Sequence, residues 1–304
     1  MISHAQIQYI IQVYQEKSFQ KAADKCFVTQ PTLSMQIKKA EQTLGYPIFN
    51  RDTSPIGLTS FGEELLPQLF EIEESFQKLE IFIQKKEGKY QEEIKLGIIP
   101  TVSIYLVPYL YNIWDKEFPN VNLKIVELPT EKLLQAVGEK KVDAGIMAGP
   151  VPGERFDTSL LFNEEIKIFA PQYEGNGVLA DDLKNMKPWL LSKGNCLRTQ
   201  MINFCALKQE EKSSWDYEGG NLELLTKMAK LHGGFTLLPE HYLQMQPKLQ
   251  KAVLTAETPA PARSIVGFHL PRNTKKDNLQ KIYNALKKGF PQEEDKPLNI
   301  LPWK

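Results

Sequence analysis

The stretch AADKCFVTQPTLSMQIKKAEQTLGYPIFNR, from Ala22 to Arg51, governs how the N-terminal part of this chain folds. We predict a helix that has Thr29 as its N-cap and a proline in its first turn, and that ends at Gly45. Upstream, Ser18 is a suitable cap for a short helix whose small alanines let another helix approach closely. Two short helices separated by a few residues are typical of a helix-turn-helix, whose second helix enters the DNA major groove.

The outward face of the second helix carries small polar and basic side chains that can hydrogen-bond base edges and phosphates. These side chains are Gln30, Thr32, Ser34, Gln36 and Lys38. Residues 1–60 hold six Lys or Arg against four Asp or Glu, which is a modest positive excess. Any helical subdomain has a polar outer face, so this pattern alone leaves DNA binding and an ordinary solvated surface both open.

The TQPTLSMQI core, the LG that follows it and the FNR that leads into a wing together closely resemble the winged helix-turn-helix of LysR-type transcriptional regulators. The resemblance implies a DNA-binding domain over residues 1–59, closed by the wing residues Gly57 to Thr59. It implies a regulator that is not an enzyme, with promoter DNA and RNA polymerase as partners. By the same resemblance, the recognition helix starts with Gln30, Pro31, Thr32 and Ser34. Lys38 and Arg51 match basic positions that contact the DNA backbone and the minor groove beside it.

Length and composition agree with a globular protein of two or three domains. The chain has 304 residues, of which 42% are hydrophobic and 24% charged. Thirty-seven basic side chains balance thirty-seven acidic ones, so any basic DNA-binding face is diluted by the rest of the chain. The sequence has no apolar run long enough to span a bilayer, and its start leads us to expect no secretory signal. Three cysteines are too few for a disulfide framework. We therefore expect a cytoplasmic protein.

Residues 60–88 predict a long helix that opens with a capping box at Ser60 and Glu63 and is bent near Pro67. Its apolar residues repeat every three or four positions, which is the coiled-coil period. Nine Glu against four Lys in residues 61–93 would repel phosphates, so we expect a protein partner, either a second copy or the rest of the same chain. The LysR resemblance implies a dimerising helix and often a tetramer. The seam consists of Leu65, Leu69, Ile72, Phe76, Leu79 and Ile83.

Residues 89–304 alternate between short β-like runs and helical stretches, which indicates an α/β architecture with mainly parallel sheets. Thr101 and Thr130 each follow a predicted strand, where such folds bind ligands, although both could simply cap helices. The LysR resemblance implies a two-lobed regulatory domain similar to type 2 periplasmic binding proteins, with lobe I at about 91–165 and 268–304 and lobe II at about 166–267. The predicted strands are 94–99, 122–128, 142–149, 165–171 and 264–270.

Cys196 and Cys205 lie in the segment GNCLRTQMINFC, and two buried structural thiols are the simplest interpretation. No nearby His or Cys completes a ligand set, so we predict no metal and no cofactor. A redox pair is the alternative, because Arg198 and a helix start at Cys196 would favour the thiolate that peroxide oxidises. In a helix the two Cα atoms would lie ~13 Å apart, whereas a disulfide tolerates about 7 Å. Disulfide formation would then require the segment to unwind.

The cysteine segment and the runs 97–110 and 233–243 resemble OxyR, the peroxide-sensing branch of the LysR family. The resemblance implies that Cys196 is the peroxidatic cysteine and Cys205 the resolving one. It also implies that Thr101 and Thr130 help to place the peroxide, with Arg198 beside the thiolate.

This chain departs from the OxyR pattern at Asn195, at Thr199 and near Trp215, and these departures bear on the rate and sensitivity of the reaction. Two other functions stay open at this stage. One is a LysR-type regulator gated by a small-molecule metabolite in the cleft between the lobes. The other is a thiol peroxidase-like enzyme, which would leave the N-terminal segment unexplained.

Overall fold

A computed structural model of the chain describes residues 1–87, 91–173, 183, 186–205, 219–254, 259–291 and 297–303. The chain forms two compact units, Met1–Tyr90 and Gln91–Lys304, and each has its own hydrophobic core. The domain boundary expected at residue 88 falls among residues 88–90, which lie outside the described ranges. None of the described helices combines the length and the apolar character that a membrane crossing requires.

The first unit contains a winged helix-turn-helix, as the sequence predicts. Helices α1 (His4–Glu16), α2 (Phe19–Lys25) and α3 (Gln30–Leu44) precede an antiparallel hairpin of β1 (Phe49–Asn50) and β2 (Gly57–Leu58). Ser18 accepts a hydrogen bond from the N–H of Lys21, Thr29 accepts one from the N–H of Thr32, and Gly45 ends α3 with a φ of +82°. The three caps are those that the sequence predicts.

Helix α4 (Ser60–Lys86) completes the first unit, and Pro67 lies inside it without ending it. The predicted capping box at Ser60 is wrong by one residue. Thr59 holds the cap position, because its carbonyl accepts the first helical hydrogen bond from the N–H of Glu63 and its hydroxyl accepts one from the N–H of Gly62 at 3.1 Å.

The second unit is built on an eight-stranded mixed sheet in the order β4-β3-β5-β9-β6-β7, with β10 paired to β9 and β8 paired to β6. Its strands are β3 (Glu92–Ile98), β4 (Val121–Glu127), β5 (Ala144–Ala148), β6 (Asp157–Phe169), β7 (Thr236–Pro239), β8 (Val253–Leu254), β9 (Ala260–His269) and β10 (Leu298–Ile300).

The expectation of mainly parallel sheets is wrong for the middle of this sheet. Strand β3 is parallel to β4 and β5, but the long strands β6 and β9 are antiparallel to each other. Strand β6 changes partners along its length: it pairs with β9 up to Glu165, and from Ile166 it pairs with β7. Strand β9 is also antiparallel to β5, and β6 is antiparallel to β7 and β8, so the antiparallel pairs lie on both sides of the β6–β9 pair.

The helices of the second unit are α5 (Pro100–Glu117), α6 (Thr130–Gly138), α7 (Cys196–Phe204), α8 (Leu222–His232), α9 (Glu240–Gln244) and α10 (Lys276–Gly289), with a 3-10 helix at Pro247–Ala252. Helices α5 and α6 begin within a few residues of the ends of β3 and β4. Because these two strands are parallel, their carboxyl ends, and hence the starts of both helices, lie at the same edge of the sheet.

Candidate functional site

Three helix starts meet in the second unit. The N–H of Thr130, the first residue of α6, donates to the carbonyl of Gly194, just before α7, at 3.3 Å. Gly220 packs between Pro100, the first residue of α5, and Asn195, because an added Cβ would lie 2.8 Å from Pro100 Cβ and 3.5 Å from Asn195 Oδ1. Helix N-termini carry partial positive charge and free N–H groups, so this junction favours an anion such as a thiolate.

Cys196 is the first residue of α7 and is buried, with 2% of its surface exposed. Asn195 occupies the N-cap position, but its side chain makes no capping bond. Instead its Nδ2 donates to the carbonyl of Ser192 at 3.1 Å and to the Ser192 hydroxyl at 2.9 Å. The Asn195 side chain therefore braces the turn before the helix and does not cap the N–H groups around Cys196.

Cys205 lies at the other end of the same helix and is fully buried. Both thiols are free. The nine steps between them in helical geometry separate their Cα atoms by ~13 Å, well beyond the disulfide limit of about 7 Å. Burial raises the pKa of Cys205 to about 12, so this thiol is protonated at neutral pH. The two cysteines thus have different environments, one at a positive helix start and one in an apolar core.

Arg263, in β9, is a site residue that sequence reasoning missed. It is fully buried, and its Nη1 donates to Thr101 Oγ1 at 2.9 Å, while Nη2 donates to the Thr101 carbonyl at 3.1 Å. Burial acts to lower the pKa of Arg263, but the negative charges of Glu164, Tyr105 and Cys196 raise it above its usual value. Cys196 therefore lies within electrostatic reach of a permanent buried cation.

The two threonines that the sequence singles out do not cap helices. The N-caps of α5 and α6 are Ile99 and Pro129, so that alternative is wrong. Thr101 is bonded to Arg263, whereas Thr130 Oγ1 is buried and has no hydrogen-bond partner among the described residues. A buried hydroxyl without a partner is costly unless a small polar ligand or water completes it.

Three further residues that the sequence singles out near the thiol are Arg198, Thr199 and Trp215. Arg198 Nη1 donates to the carbonyl of Leu191 at 2.7 Å, so part of its guanidinium is bonded to the backbone. Thr199 is half-buried in α7, and Trp215 lies outside the described residues. In the described part of the chain, no group of three or more His, Cys, Asp or Glu side chains could hold a metal ion.

The candidate DNA interface is the start of α3. Pro31, Thr32 and Lys38 are exposed, and Gln30 and Ser34 are half-exposed. Two further residues are already engaged within the first unit. Gln36 Oε1 accepts from Gln6 Nε2 at 3.1 Å, and Arg51 pairs with Glu41 at 3.0 Å. Arg51 would therefore have to exchange an internal ion pair for a phosphate contact.

The predicted seam of α4 divides into two parts. Leu69 is buried and Leu65 packs against the core of the first unit, so these two residues contact their own chain. Four seam residues remain exposed within the chain to between 39% and 53%, and Phe82, which the heptad pattern did not include, is exposed to 59%. The four are Ile72, Phe76, Leu79 and Ile83.

A winged helix-turn-helix joined through a long helix to an α/β unit with a small buried polar site defines a DNA-binding transcription regulator with a sensor unit. The chain belongs to the LysR family: residues 4–63 match the bacterial regulatory helix-turn-helix protein of the lysR family, and residues 87–290 match the LysR substrate binding domain. This confirms the resemblance found in the sequence. The family is one of transcription regulators, not enzymes.

OxyR proteins are among the relatives of this chain. It is 26% identical over 286 residues to the hydrogen peroxide-inducible genes activator of Haemophilus influenzae, covering 92% of this chain and 94% of that protein. A full-length OxyR variant from Pseudomonas aeruginosa superposes with a TM-score of 0.71 at 24% identity, covering 94% and 98% of the two chains. A hydrogen-peroxide-bound OxyR mutant from Corynebacterium glutamicum gives 0.57 at 22% identity, covering 97% and 98%. At these identities the two structures show the fold alone.

Proposed function

We propose that this protein is a hydrogen-peroxide-responsive transcription regulator that binds promoter DNA and switches conformation through a disulfide between Cys196 and Cys205. The observation that carries the proposal is the position of Cys196, at a junction of helix starts and within electrostatic reach of Arg263, one helix away from a second, protonated thiol. The relationship to the hydrogen peroxide-inducible genes activator of Haemophilus influenzae supports the choice of oxidant.

The first step uses the thiolate of Cys196, which attacks one oxygen of hydrogen peroxide. The O–O bond breaks, the sulfur becomes a sulfenic acid, and hydroxide leaves. The N–H groups at the start of α7 and the unpartnered hydroxyl of Thr130 can hydrogen-bond the two oxygens. Arg263, through Thr101, supplies a fixed positive charge that favours the thiolate and the departing hydroxide.

The second step joins the two sulfurs. The Cys205 thiol attacks the sulfenic sulfur, its proton leaves with the hydroxyl group as water, and the disulfide forms. Because α7 holds the two cysteines ~13 Å apart, the helix must unwind before the S–S bond can close. Gln200, in the same helix, donates a hydrogen bond from Nε2 to the carbonyl of Leu301. Unwinding would break this bond, so oxidation would also change the contacts of the segment around Leu301.

Peptide mapping tests the disulfide directly, because trypsin places the three cysteines on separate peptides. Cleavage after Lys193 and Arg198 releases GNCLR with Cys196, and the following peptide, TQMINFCALK, carries Cys205. After stoichiometric peroxide we expect these two peptides to be linked. The Cys26 peptide, CFVTQPTLSMQIK, should stay free and serves as an internal control.

The same treatment should alter the footprint on promoter DNA, and Cys196→Ser should abolish that change without weakening DNA binding by the reduced protein. A full peroxide response in Cys196→Ser would exclude the proposal. It would favour instead a regulator of the same family that is gated by a metabolite in its cleft.

The assembly that we propose is a dimer formed through α4, or a tetramer built from two such dimers, with RNA polymerase as a further partner at the promoter. The exposed apolar side chains of α4 support the dimer, since a single chain leaves them in water. A two-fold dimer would present two recognition helices to two half-sites.

A further inference from the structure

We infer that Glu164 is a positioning residue for the Cys196 site: its carboxylate fixes the guanidinium of Arg263 against Thr101 and offsets part of its positive charge. Glu164 would thereby limit how strongly Arg263 favours the Cys196 thiolate. This inference rests on the proposed role of Cys196 and adds a residue that tunes it.

The geometry of the ion pair supports this role. Glu164 Oε1 accepts from Arg263 Nε at 2.8 Å, lies 2.7 Å from Arg263 Nη2, and accepts from the hydroxyl of Tyr105 at 2.6 Å. The guanidinium is a rigid planar fork, so a carboxylate that holds one edge also sets the direction of the other. The other edge, Nη1, is the one that reaches Thr101 Oγ1 at 2.9 Å.

The charges of the pair lie in the protein interior. The side chains of both Glu164 and Arg263 are fully buried, and Glu164 Oε2 has no hydrogen-bond partner among the described residues. Burial raises the pKa of Tyr105 well above its usual value, and the charge of Glu164 raises it further, so Tyr105 stays a neutral donor. Thr101, which Arg263 holds, follows Pro100, and Pro100 meets Gly220 and Asn195 at the helix junction that contains Cys196. Glu164 and an ionised Cys196 would then be two negative charges near one cation.

Two negative charges that share a cation compete for it. While Glu164 is ionised, the thiolate of Cys196 meets a partly neutralised Arg263. If the carboxylate becomes a neutral group of the same shape, the whole positive charge of Arg263 acts on Cys196. A purely structural anchor predicts the opposite, because loosening Arg263 would weaken its action on the thiolate.

The variant that separates these outcomes is Glu164→Gln in the full-length protein, because glutamine keeps an acceptor oxygen and removes the charge. The probe is methyl methanethiosulfonate, a small thiol reagent, with modification of Cys196 followed across a pH series on the tryptic peptide GNCLR. We expect the pH midpoint of Cys196 modification to fall by about one unit, with modification about tenfold faster on the acidic side. An unchanged or raised midpoint in folded Glu164→Gln would overturn the inference.

Glu165→Gln is the matched control. Glu165 is the next residue of β6, so its side chain points to the opposite face of the strand, and it is also buried and paired with a cation, Lys167. Its substitution should leave the Cys196 midpoint unchanged, and an equal shift in both variants would overturn the specific role of Glu164.

Tyr105→Phe is a second variant that tests the same inference if Glu164→Gln fails to fold. This change removes one donor from Glu164 Oε1 and so leaves more of the carboxylate charge to Arg263. We expect the Cys196 midpoint to rise, with modification about twofold slower on the acidic side. No shift, or a fall, would overturn the inference.

The readout needs neither peroxide nor DNA, so it separates the inference from the proposed function. A protein that shows the expected midpoint shifts but forms no disulfide with peroxide would remove the peroxide-sensing proposal alone. A protein that forms the disulfide but shows no shift in Glu164→Gln would remove only the inference.

Discussion

A single buried thiol should make the stability of the protein depend on alkaline pH. Burial raises the pKa of Cys205 from 9.0 to about 12, so the folded thiol stays protonated where the unfolded one has ionised. Its contribution to the free energy of unfolding is therefore intact below pH 9 and is lost as pH rises toward 12. Urea unfolding over this range should show a slope up to about 1 kcal/mol per pH unit steeper for the unaltered protein than for Cys205→Ala.

Cys26→Ala is the control for this measurement, because Cys26 is only half-buried and burial raises its pKa less. The Cys26 variant should keep nearly the whole slope of the unaltered protein. If the free energy of unfolding changes with pH equally in Cys205→Ala and in the unaltered protein, then the Cys205 thiol ionises as easily in the folded state as in the unfolded chain.

The residues of the candidate site differ in how far the sequence reveals them. Cys196 and Cys205 lie in one short segment, and Thr101 and Thr130 each follow a strand, so local reasoning can select all four. Arg263 and Glu164 are 99 residues apart and meet because β6 and β9 pair with these two residues directly opposite each other. That register could not be predicted, since the only local signal is a charged residue inside an apolar strand.

Helix α7 should control how fast the disulfide forms, because it must unwind before the two sulfurs can meet. Thr199 lies within this helix, and Thr199→Ala and Thr199→Gly remove the same side-chain hydroxyl. Glycine is about 1 kcal/mol less favourable than alanine in a helix, so the glycine variant should form the disulfide about fivefold faster than the alanine variant. Quenched-flow alkylation followed by peptide mapping measures the two rates.

The sulfenic acid step provides the control for the α7 pair, since it precedes unwinding and should proceed at similar rates in both variants. Equal rates of disulfide formation in the two variants would mean that Cys205 reaches Cys196 without opening the helix.

Helix α4 should hold the dimer together through the four seam residues that its own chain leaves exposed. Leu79 is exposed to 53%, and a charge at this position would be buried without a partner in a dimer. We expect Leu79→Glu to convert the dimer to a monomer in sedimentation equilibrium, while Gln77→Glu, an exposed substitution on the same helix, leaves the dimer intact. A dimer that persists in Leu79→Glu would assign the assembly to another surface.

At the scale of single helices and strands, the sequence predicts helix ends better than it predicts strand directions. Caps such as Ser18, Thr29 and Gly45 act on backbone groups within four residues, so their positions can be read locally. The direction of β9 against β6 depends on packing across the whole unit, and the prediction of mainly parallel strands was wrong there. The seam of α4 divides for a similar reason, because heptad spacing cannot tell that Leu69 packs into its own unit.

Over the whole molecule, thirty-seven basic and thirty-seven acidic residues cancel, so DNA binding must depend on where the positive charges lie. We expect affinity for promoter DNA to fall steeply with salt, because phosphate contacts release counterions. Replacing a lysine that contacts phosphate reduces the slope of log affinity against log salt by about one. Lys38→Gln should have this effect, whereas Lys116→Gln, an exposed lysine of α5, should have none.

Fluorescence anisotropy with one labelled operator over a salt series measures these slopes. Comparing the Lys38 and Lys116 variants tests whether the chain, which has no net charge, binds DNA through a positive face of its first unit alone. Equal reductions in slope for Lys38→Gln and Lys116→Gln would mean that both units contact the phosphates. Oxidation of Cys196 would then act on DNA contacts made by its own unit.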